Sequence, residues 1–227
     1  MNEIAIYVEG GGDTAQQKAE LRTGLDQLLD AQKKEARAKR LGWKLVPSGG
    51  RDSAFTAFLN ASKHSSDQTL CVLLVDSEDE IPPEESIRDE ESDEETSQRL
   101  SKDSKTRENH LSNRDGWNFG GAPPDVIHLM VRCMEAWIVA DPVALKSYYG
   151  NGFHENQLPV RIDLEDEEKL QIYDKLEKAT KDTSKGRYAK ISHASKLLAL
   201  IDPKEVATRC PRFATFTSWL SREIADA

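Results

Sequence analysis

The chain has 227 residues, of which 37% are hydrophobic and 31% are charged, and its formal net charge is -9 at pH 7. This length allows one sizeable core with added elements, and two fully independent domains are not expected. Nowhere do roughly 18 apolar residues run together, as a membrane helix would need. The three cysteines lack the CxxC spacing of a zinc site. We therefore expect a soluble, cytoplasmic protein with reduced thiols and no membrane partner.

The first third of the chain alternates between two hydrophobic patterns. Short apolar runs predict buried strands, and leucines and phenylalanines at helical spacing predict amphipathic helices. Strands are expected over residues 4–8, 43–46 and 70–75, and helices over residues 14–40, capped by Gly42, and from near Asp52 onward. This β-α-β-α-β order predicts a parallel sheet with right-handed crossovers, in which ligands bind beyond the carboxyl ends of the strands.

Residues 80–115 are acidic, rich in serine and almost without aliphatic side chains. Such a segment buries too little apolar surface to offset the entropy lost on ordering. We therefore expect an exposed, mobile insertion there. Because much of the negative charge is concentrated between Glu78 and Glu95, the rest of the chain is closer to neutral, and nucleic acid remains a candidate partner.

The last part of the chain is predicted to be mainly helical. Its elements are expected to be a strand over residues 126–131, a helix over residues 133–140, and helices around residues 167–180, 188–201 and 213–224. The expected organisation is an α/β domain over residues 1–150, in which residues 80–115 are the insertion, and a C-terminal helical extension over residues 151–227 that packs on it.

Acidic residues follow two of the predicted strands. Glu9 ends the first strand, and Asp76 and Glu78 follow the third, where side chains two residues apart point the same way. Asp13 comes about one helical turn after Glu9, beyond three glycines that would let a metal-bound phosphate approach the backbone. Carboxylate oxygens are the ligands that Mg²⁺ prefers. These four residues therefore predict a site for Mg²⁺ (or Mn²⁺).

Simpler interpretations of the same residues remain open. Asp13 is also placed as the N-cap of the first helix, and Asp76 to Asp79 as a solvated strand end. Glu135, near the junction of the fourth strand and its helix, is either a fifth ligand for a two-metal mechanism or an acid that complements the helix dipole. Arg51 is either a phosphate contact or a surface charge, and His128 is expected to be a core histidine.

Six segments carry a resemblance to a known family. They are residues 6–13 (IYVEGGGD), 74–79 (LVDSED), 115–117 (DGW), 128–137 (HLMVRCMEAW), 185–186 (KG) and 193–194 (HA). The chain resembles a bacterial Toprim-like domain-of-unknown-function family, DUF4276, which is similar to the Toprim domain of topoisomerases, primases and the overcoming-lysogenization-defect (OLD) nucleases. The resemblance covers nearly the whole chain except the acidic insertion. The sequence departs from the Asp-x-Asp pattern of Toprim domains at Glu78, and a glutamate can still ligate Mg²⁺ with a longer reach.

The resemblance implies a Toprim/Rossmann-like fold and a Mg²⁺-dependent nuclease that hydrolyses phosphodiester bonds in DNA or in an RNA such as tRNA. It also implies an ABC-type or SMC-type ATPase partner, encoded nearby, in a bacterial antiphage-defence system. Glu9, Asp76 and Glu78 would be catalytic as well as metal-binding, assisted by a lysine as in OLD-type nucleases, either Lys185 or Lys190. Both a monomer and a homo-oligomer are compatible with the sequence.

Two other functions stay open beside the nuclease. One is a non-catalytic regulatory or binding module of an ATPase complex, in which the acidic strand ends only bind a partner. The other is a phosphoacceptor domain of the receiver kind, which also gathers acids around Mg²⁺. The receiver interpretation needs a lone acceptor aspartate and a lysine at a strand end, and the sequence places neither.

Overall fold

The computed structural model describes residues 1–64, 68–83 and 92–227. Its strands are β1 (Glu3–Val8), β2 (Gly42–Pro47), β3 (Thr69–Asp76) and β4 (Ile127–Met130). They form one four-stranded sheet in the order β2-β1-β3-β4, and every neighbouring pair is parallel. The predicted α/β class with a parallel sheet is confirmed. β1 and β3 are buried along almost their whole length, as strands covered on both faces must be.

Helices cover this sheet and extend beyond it. They are α1 (Ala15–Leu28), α2 (Asp30–Ala38), α3 (Arg51–His64), α4 (Asp93–Asp115), α5 (Glu135–Val139), α6 (Pro142–Tyr149), α7 (Lys169–Thr180), α8 (Lys190–Leu198), α9 (Pro203–Arg209) and α10 (Pro211–Ala225). Within the C-terminal region, α8 packs against α1, and α10 packs against β4 and α2. In the described parts of the chain, no helix combines the length and the apolar character needed to cross a membrane.

The single long helix predicted over residues 14–40 is wrong, because the chain turns at Leu29 between α1 and α2. The predicted apolar face is nevertheless the buried one: Leu21, Leu25, Leu28 and Leu29 all lie in the core. Gly42 does not cap a helix but begins β2, opposite Glu3 of β1.

The largest departure from the predicted fold is α4. Composition predicts an exposed loop over residues 80–115, but Asp93–Asp115 form a helix. Ser92 caps this helix: its hydroxyl accepts a hydrogen bond from the Glu95 N–H, and the Glu95 carboxylate accepts one from the Ser92 N–H. Gly116 closes it with a φ of 70°. The predicted loop is therefore wrong for this stretch, and residues 84–91 of the predicted insertion lie outside the described residues.

Paired charges contribute to the buried face of α4 where aliphatic side chains are scarce. Asp103 is buried between Arg107 of the same helix, at 3.0 Å, and Arg212 of α10, at 2.8 Å. Buried charges are tolerated when they are paired in this way. Arg212 lies 109 residues further along the chain. The composition of α4 therefore gives no sign that the helix is anchored.

Candidate metal centre

The candidate site lies where the chain reverses its direction of progress across the sheet. From β1 the chain moves to β2 on one side, and it then returns to place β3 on the other side of β1. Glu9 follows β1 directly, and Asp76 is the last residue of β3. Ligands of open parallel sheets bind in the crevice at such a switch point, beyond the carboxyl ends of the strands.

Three carboxylates meet in this crevice. One oxygen each from Glu9, Asp76 and Glu78 lies within 4.8 Å of the other two, which is close enough for a shared cation. Asp76 is buried, while Glu9 and Glu78 are partly exposed. The three residues are called the acidic cluster below. They are the three acids that the sequence predicts as both catalytic and metal-binding.

The loop after β3 is held by the loop after β4. The N–H of Ser77 donates to the carbonyl of Met130 at 2.9 Å, and the N–H of Arg132 donates to the Ser77 hydroxyl at 2.7 Å. The N–H of Glu78 donates to the carbonyl of Arg132 at 3.1 Å. Glu78 itself has a φ of 65°, a left-handed conformation that costs a non-glycine residue on the order of 1 kcal/mol or more. These hydrogen bonds hold Glu78 in that conformation and so aim its carboxylate at the cluster.

Asp76 and Glu9 are fixed by backbone donors. One carboxylate oxygen of Asp76 accepts a hydrogen bond from the N–H of Met134 at 2.9 Å. Glu9 accepts from the N–H of Asp76 at 3.2 Å, so the two acids are tied to each other through the backbone. A metal ligand set benefits from such support because it fixes the orientation of each carboxylate.

Arg51, the first residue of α3, lies at the centre of the polar contacts around Glu9. Its guanidinium donates to Glu9 at 3.2 Å, to the carbonyl of Asp76, and through two nitrogens to Asp115 at 3.1 and 2.7 Å. The Arg51 side chain is only 14% exposed and lies over the Trp117 ring. Arg51 therefore orients Glu9, and the prediction of a surface charge is wrong because the side chain is largely buried and paired.

Burial makes the charged state of this site costly. Burial raises the pKa of Asp76 from its ordinary value of 3.8 to about 7, with Lys190 opposing the rise and Glu9 and Glu135 adding to it. The pKa of Glu9 is also raised, chiefly by burial, and Arg51 opposes that rise. Gathered carboxylates with raised pKa values are the situation that a bound divalent cation relieves, so the donor set fits Mg²⁺ or Mn²⁺.

Two lysines lie against the acidic cluster. The Nζ of Lys169, at the start of α7, donates to Glu78 at 2.6 Å. The Nζ of Lys190, at the start of α8, lies 3.6 Å from Asp76 and 3.6 Å from Glu135. Lys190 was one of two predicted catalytic lysines, and it lies at the cluster. The other, Lys185, is exposed, and its Nζ lies 5.1 Å from the centre of the Tyr148 ring.

Two predicted metal ligands stand apart from the acidic cluster among the described residues. Asp13 is exposed in the glycine loop, and it is also not the N-cap, because Thr14 caps α1 through the N–H of Gln17. Glu135 is fully buried and faces Lys190 and Tyr188 instead.

Three residues around the cluster were not singled out from the sequence. Lys169 belongs to a segment in which acidic and basic residues are mixed without a regular spacing. Tyr173 and Tyr188 have the sequence surroundings of ordinary core aromatics. Only the packing of α7 and α8 next to α5 brings them together. The sequence contains no local signal that would have identified them.

A cleft of about 220 Å³ opens beside the cluster. Its lining includes Glu9, the glycines of the loop after β1, Met134 and Lys190. The glycine loop needs its glycines: Gly10, Gly11 and Gly12 have φ values of 115°, 88° and 61°, which side-chain-bearing residues rarely adopt. The crevice therefore gives a ligand an approach to Glu9 and Lys190 from the side of this loop.

A comparison with protein families places this site in context. The family model described as Domain of unknown function (DUF4276) matches residues 8–221. The chain belongs to the DUF4276 family. The match begins at the last residue of β1 and ends within α10, so the acidic cluster and both lysines lie inside it. No curated protein and no solved structure matches the chain significantly.

Proposed function

We propose that this DUF4276 protein is a metal-dependent endonuclease of the Toprim type, which hydrolyses phosphodiester bonds in DNA or RNA. The observation that carries the proposal is the acidic cluster: three carboxylates from the carboxyl ends of two adjacent parallel strands, with ligand oxygens within 4.8 Å of one another. The proposal is for one Mg²⁺ or Mn²⁺ held by Glu9, Asp76 and Glu78.

The residues around the cluster have separable tasks in this proposal. A bound divalent cation activates water and stabilises the charge that develops on a phosphodiester. Arg51 keeps the Glu9 carboxylate oriented, and the loop around Ser77 keeps Glu78 aimed at the same point. Lys190 carries a positive charge into the crevice, where it stabilises a phosphate as negative charge develops on it.

The partner is proposed from the resemblance of the sequence to Toprim nucleases. In such systems an ABC-type or SMC-type ATPase senses a signal and the nuclease cuts, as a bacterial antiphage defence. The cleavage assay therefore includes the neighbouring ATPase.

A second function is favoured by one observation. Every carboxylate of the acidic cluster already contacts a cation of the same chain: Arg51 at Glu9, Lys190 at Asp76 and Lys169 at Glu78. A cluster balanced in this way also fits a non-catalytic regulatory module that uses the crevice to bind a partner. The two functions differ in whether a divalent cation displaces the lysines from the carboxylates of the acidic cluster.

The test is cleavage of plasmid DNA, single-stranded DNA and total tRNA with Mg²⁺ or Mn²⁺, with and without the neighbouring ATPase. Asp76→Asn and Glu78→Gln are compared with wild type, and Asp79→Asn serves as the control because Asp79 is 70% exposed and pairs with Arg114. The nuclease is supported if the first two variants lose cleavage while the control retains it. Absence of cleavage by wild type in every combination would leave the regulatory module.

A further inference from the structure

Lys190 contacts two acids, one that belongs to the acidic cluster and one that does not. Its Nζ lies at the same distance, 3.6 Å, from Asp76 of the acidic cluster and from Glu135. It also donates a hydrogen bond to the hydroxyl of Tyr173 at 3.3 Å. The side chain is 38% exposed, so its ammonium group lies at the boundary between the buried acids and the crevice.

Glu135 is built as a buried anion rather than as an open ligand. Its side chain is 0% exposed, and one oxygen accepts a hydrogen bond from the hydroxyl of Tyr188 at 2.8 Å. The Tyr173 hydroxyl, which accepts a hydrogen bond from Lys190 at 3.3 Å, is also close enough to Glu135 to interact with it electrostatically. Among the described residues the other Glu135 oxygen has no hydrogen-bond partner, and the Lys190 ammonium at 3.6 Å compensates its charge. A buried carboxylate without such compensation would be strongly unfavourable.

A divalent cation at the acidic cluster would therefore affect the contacts of Lys190 with Asp76 and with Glu135 differently. A cation at Asp76 repels the Lys190 ammonium that lies 3.6 Å from the same carboxylate. Glu135 and Tyr173 offer that ammonium a second set of contacts that the cation does not use. Without the charge of Glu135, the nearest remaining anion for Lys190 would be Asp76, and the lysine would compete with the cation for it.

We propose that Glu135 is a positioning residue and not a metal ligand: it retains Lys190 when a divalent cation binds Asp76, while Tyr188 donates a hydrogen bond to Glu135 and Tyr173 accepts one from Lys190. This inference rests on the proposed metal site. It assigns Glu135, Tyr173 and Tyr188 to one task, which is to keep a charged lysine beside the metal without letting it block the metal.

The experiment is a double-mutant cycle read by Mn²⁺ affinity, measured by electron paramagnetic resonance on the full chain. Glu135→Gln keeps the shape of the side chain and removes its charge, and we expect Mn²⁺ affinity to fall by about tenfold or more. Lys190→Met alone is expected to raise the affinity, because a repelling charge is removed. The double variant Glu135→Gln/Lys190→Met is expected to return to within about threefold of Lys190→Met.

Three results would overturn the proposal. If the double variant binds Mn²⁺ as weakly as Glu135→Gln, then Glu135 contributes directly to the metal. If Glu135→Gln leaves the affinity unchanged, Lys190 is not held by it. Should Glu135→Gln fail to fold, Lys190→Met on its own must still raise the Mn²⁺ affinity, and an unchanged affinity refutes the proposal.

The same cycle in EDTA separates this inference from the proposed function. If wild type binds no Mn²⁺, the metal site fails, and with it the exchange at Asp76. Urea unfolding of the four proteins in EDTA then reports whether Glu135 and Lys190 stabilise each other. We expect the double variant to lose less stability than the sum of the two single variants, and simple additivity would show that the two residues are not coupled.

Discussion

Replacing Asp76 with asparagine is expected to stabilise the metal-free protein while it abolishes metal binding. The carboxyl is buried, and its pKa is raised from 3.8 to about 7, so the folded state binds this proton more tightly than the unfolded chain does. Between these two pH values the contribution of Asp76 to stability is progressively lost as the pH rises, and the loss is complete above pH 7. The interval from 3.8 to about 7 corresponds to at most about 4 kcal/mol.

The assay is urea unfolding of wild type and Asp76→Asn in EDTA, followed by circular dichroism at intervals from pH 4.5 to 8.5. The difference in the free energy of unfolding between the variant and wild type should grow as the pH rises and level off above pH 7. Asp79→Asn is the matched control, because it removes an exposed carboxylate from the loop that follows the same strand. A difference for Asp76→Asn that is flat, or that shrinks toward pH 8, would refute the reasoning.

Adding Mn²⁺ at pH 8 completes this prediction. Wild type should gain about 2.7 kcal/mol at a free Mn²⁺ concentration 100 times the dissociation constant, by mass action. Asp76→Asn should gain much less, since the ligand whose ionisation the cation stabilises is gone. Equal gains in the two proteins would place the bound Mn²⁺ somewhere other than the acidic cluster.

Three further substitutions test the supports of the cluster. Ser77→Ala should lower the free energy of unfolding by about 1–2 kcal/mol in urea, because the partly buried backbone N–H of Arg132 loses its acceptor. Lys169→Met should raise Mn²⁺ affinity, measured by electron paramagnetic resonance, by about threefold or more. The reason is that the Lys169 ammonium no longer competes with Mn²⁺ for Glu78. Arg51→Met should lower the free energy of unfolding by about 2–4 kcal/mol, since Asp115 and Glu9 would keep their charges with a weaker counter-charge.

Matched controls exist for each of these substitutions. Ser53→Ala removes an exposed hydroxyl from α3, and Arg37→Met removes an exposed guanidinium from α2. Lys175→Met removes a lysine of α7, the helix that begins with Lys169. Lys175 pairs with Glu167, which lies just before this helix. Each control should leave Mn²⁺ affinity unchanged, and the first two should change stability by less than about 0.5 kcal/mol. A control that behaves like its test variant would show that the loss of a charge or hydroxyl anywhere has the same effect.

Local patterns were sufficient for the strands of the sheet and for the three residues of the acidic cluster. The apolar runs before Glu9 and Asp76 mark strands that must be buried on both faces, and a parallel arrangement brings their carboxyl ends to one edge. The position of Glu78 follows from Asp76 by spacing, although its left-handed backbone does not. These inferences succeed because strand burial is a property of adjacent residues.

Composition gave a wrong prediction for α4, where part of the stability comes from pairs of residues that are distant in sequence. The helix α4 has only two aliphatic residues, Leu100 and Leu111, but it is also anchored by the ion pair between Asp103 and Arg212, and it places Asp115 next to Arg51. A rule that counts apolar side chains registers none of these contacts, since each needs the position of another helix. The expected loop was wrong for this reason.

The sequence by itself determined the α/β class, the parallel sheet and the acids at the ends of β1 and β3, whereas the adjacency of these two strands came from the structure. Only the tertiary structure decided that Lys190 rather than Lys185 reaches the cluster, that Lys169 opposes Glu78, and that Glu135 faces Lys190. The reason is physical: strand ends are aligned by hydrogen bonds that repeat along the backbone, whereas the side chains of α5, α7 and α8 meet only through packing between helices far apart in the chain.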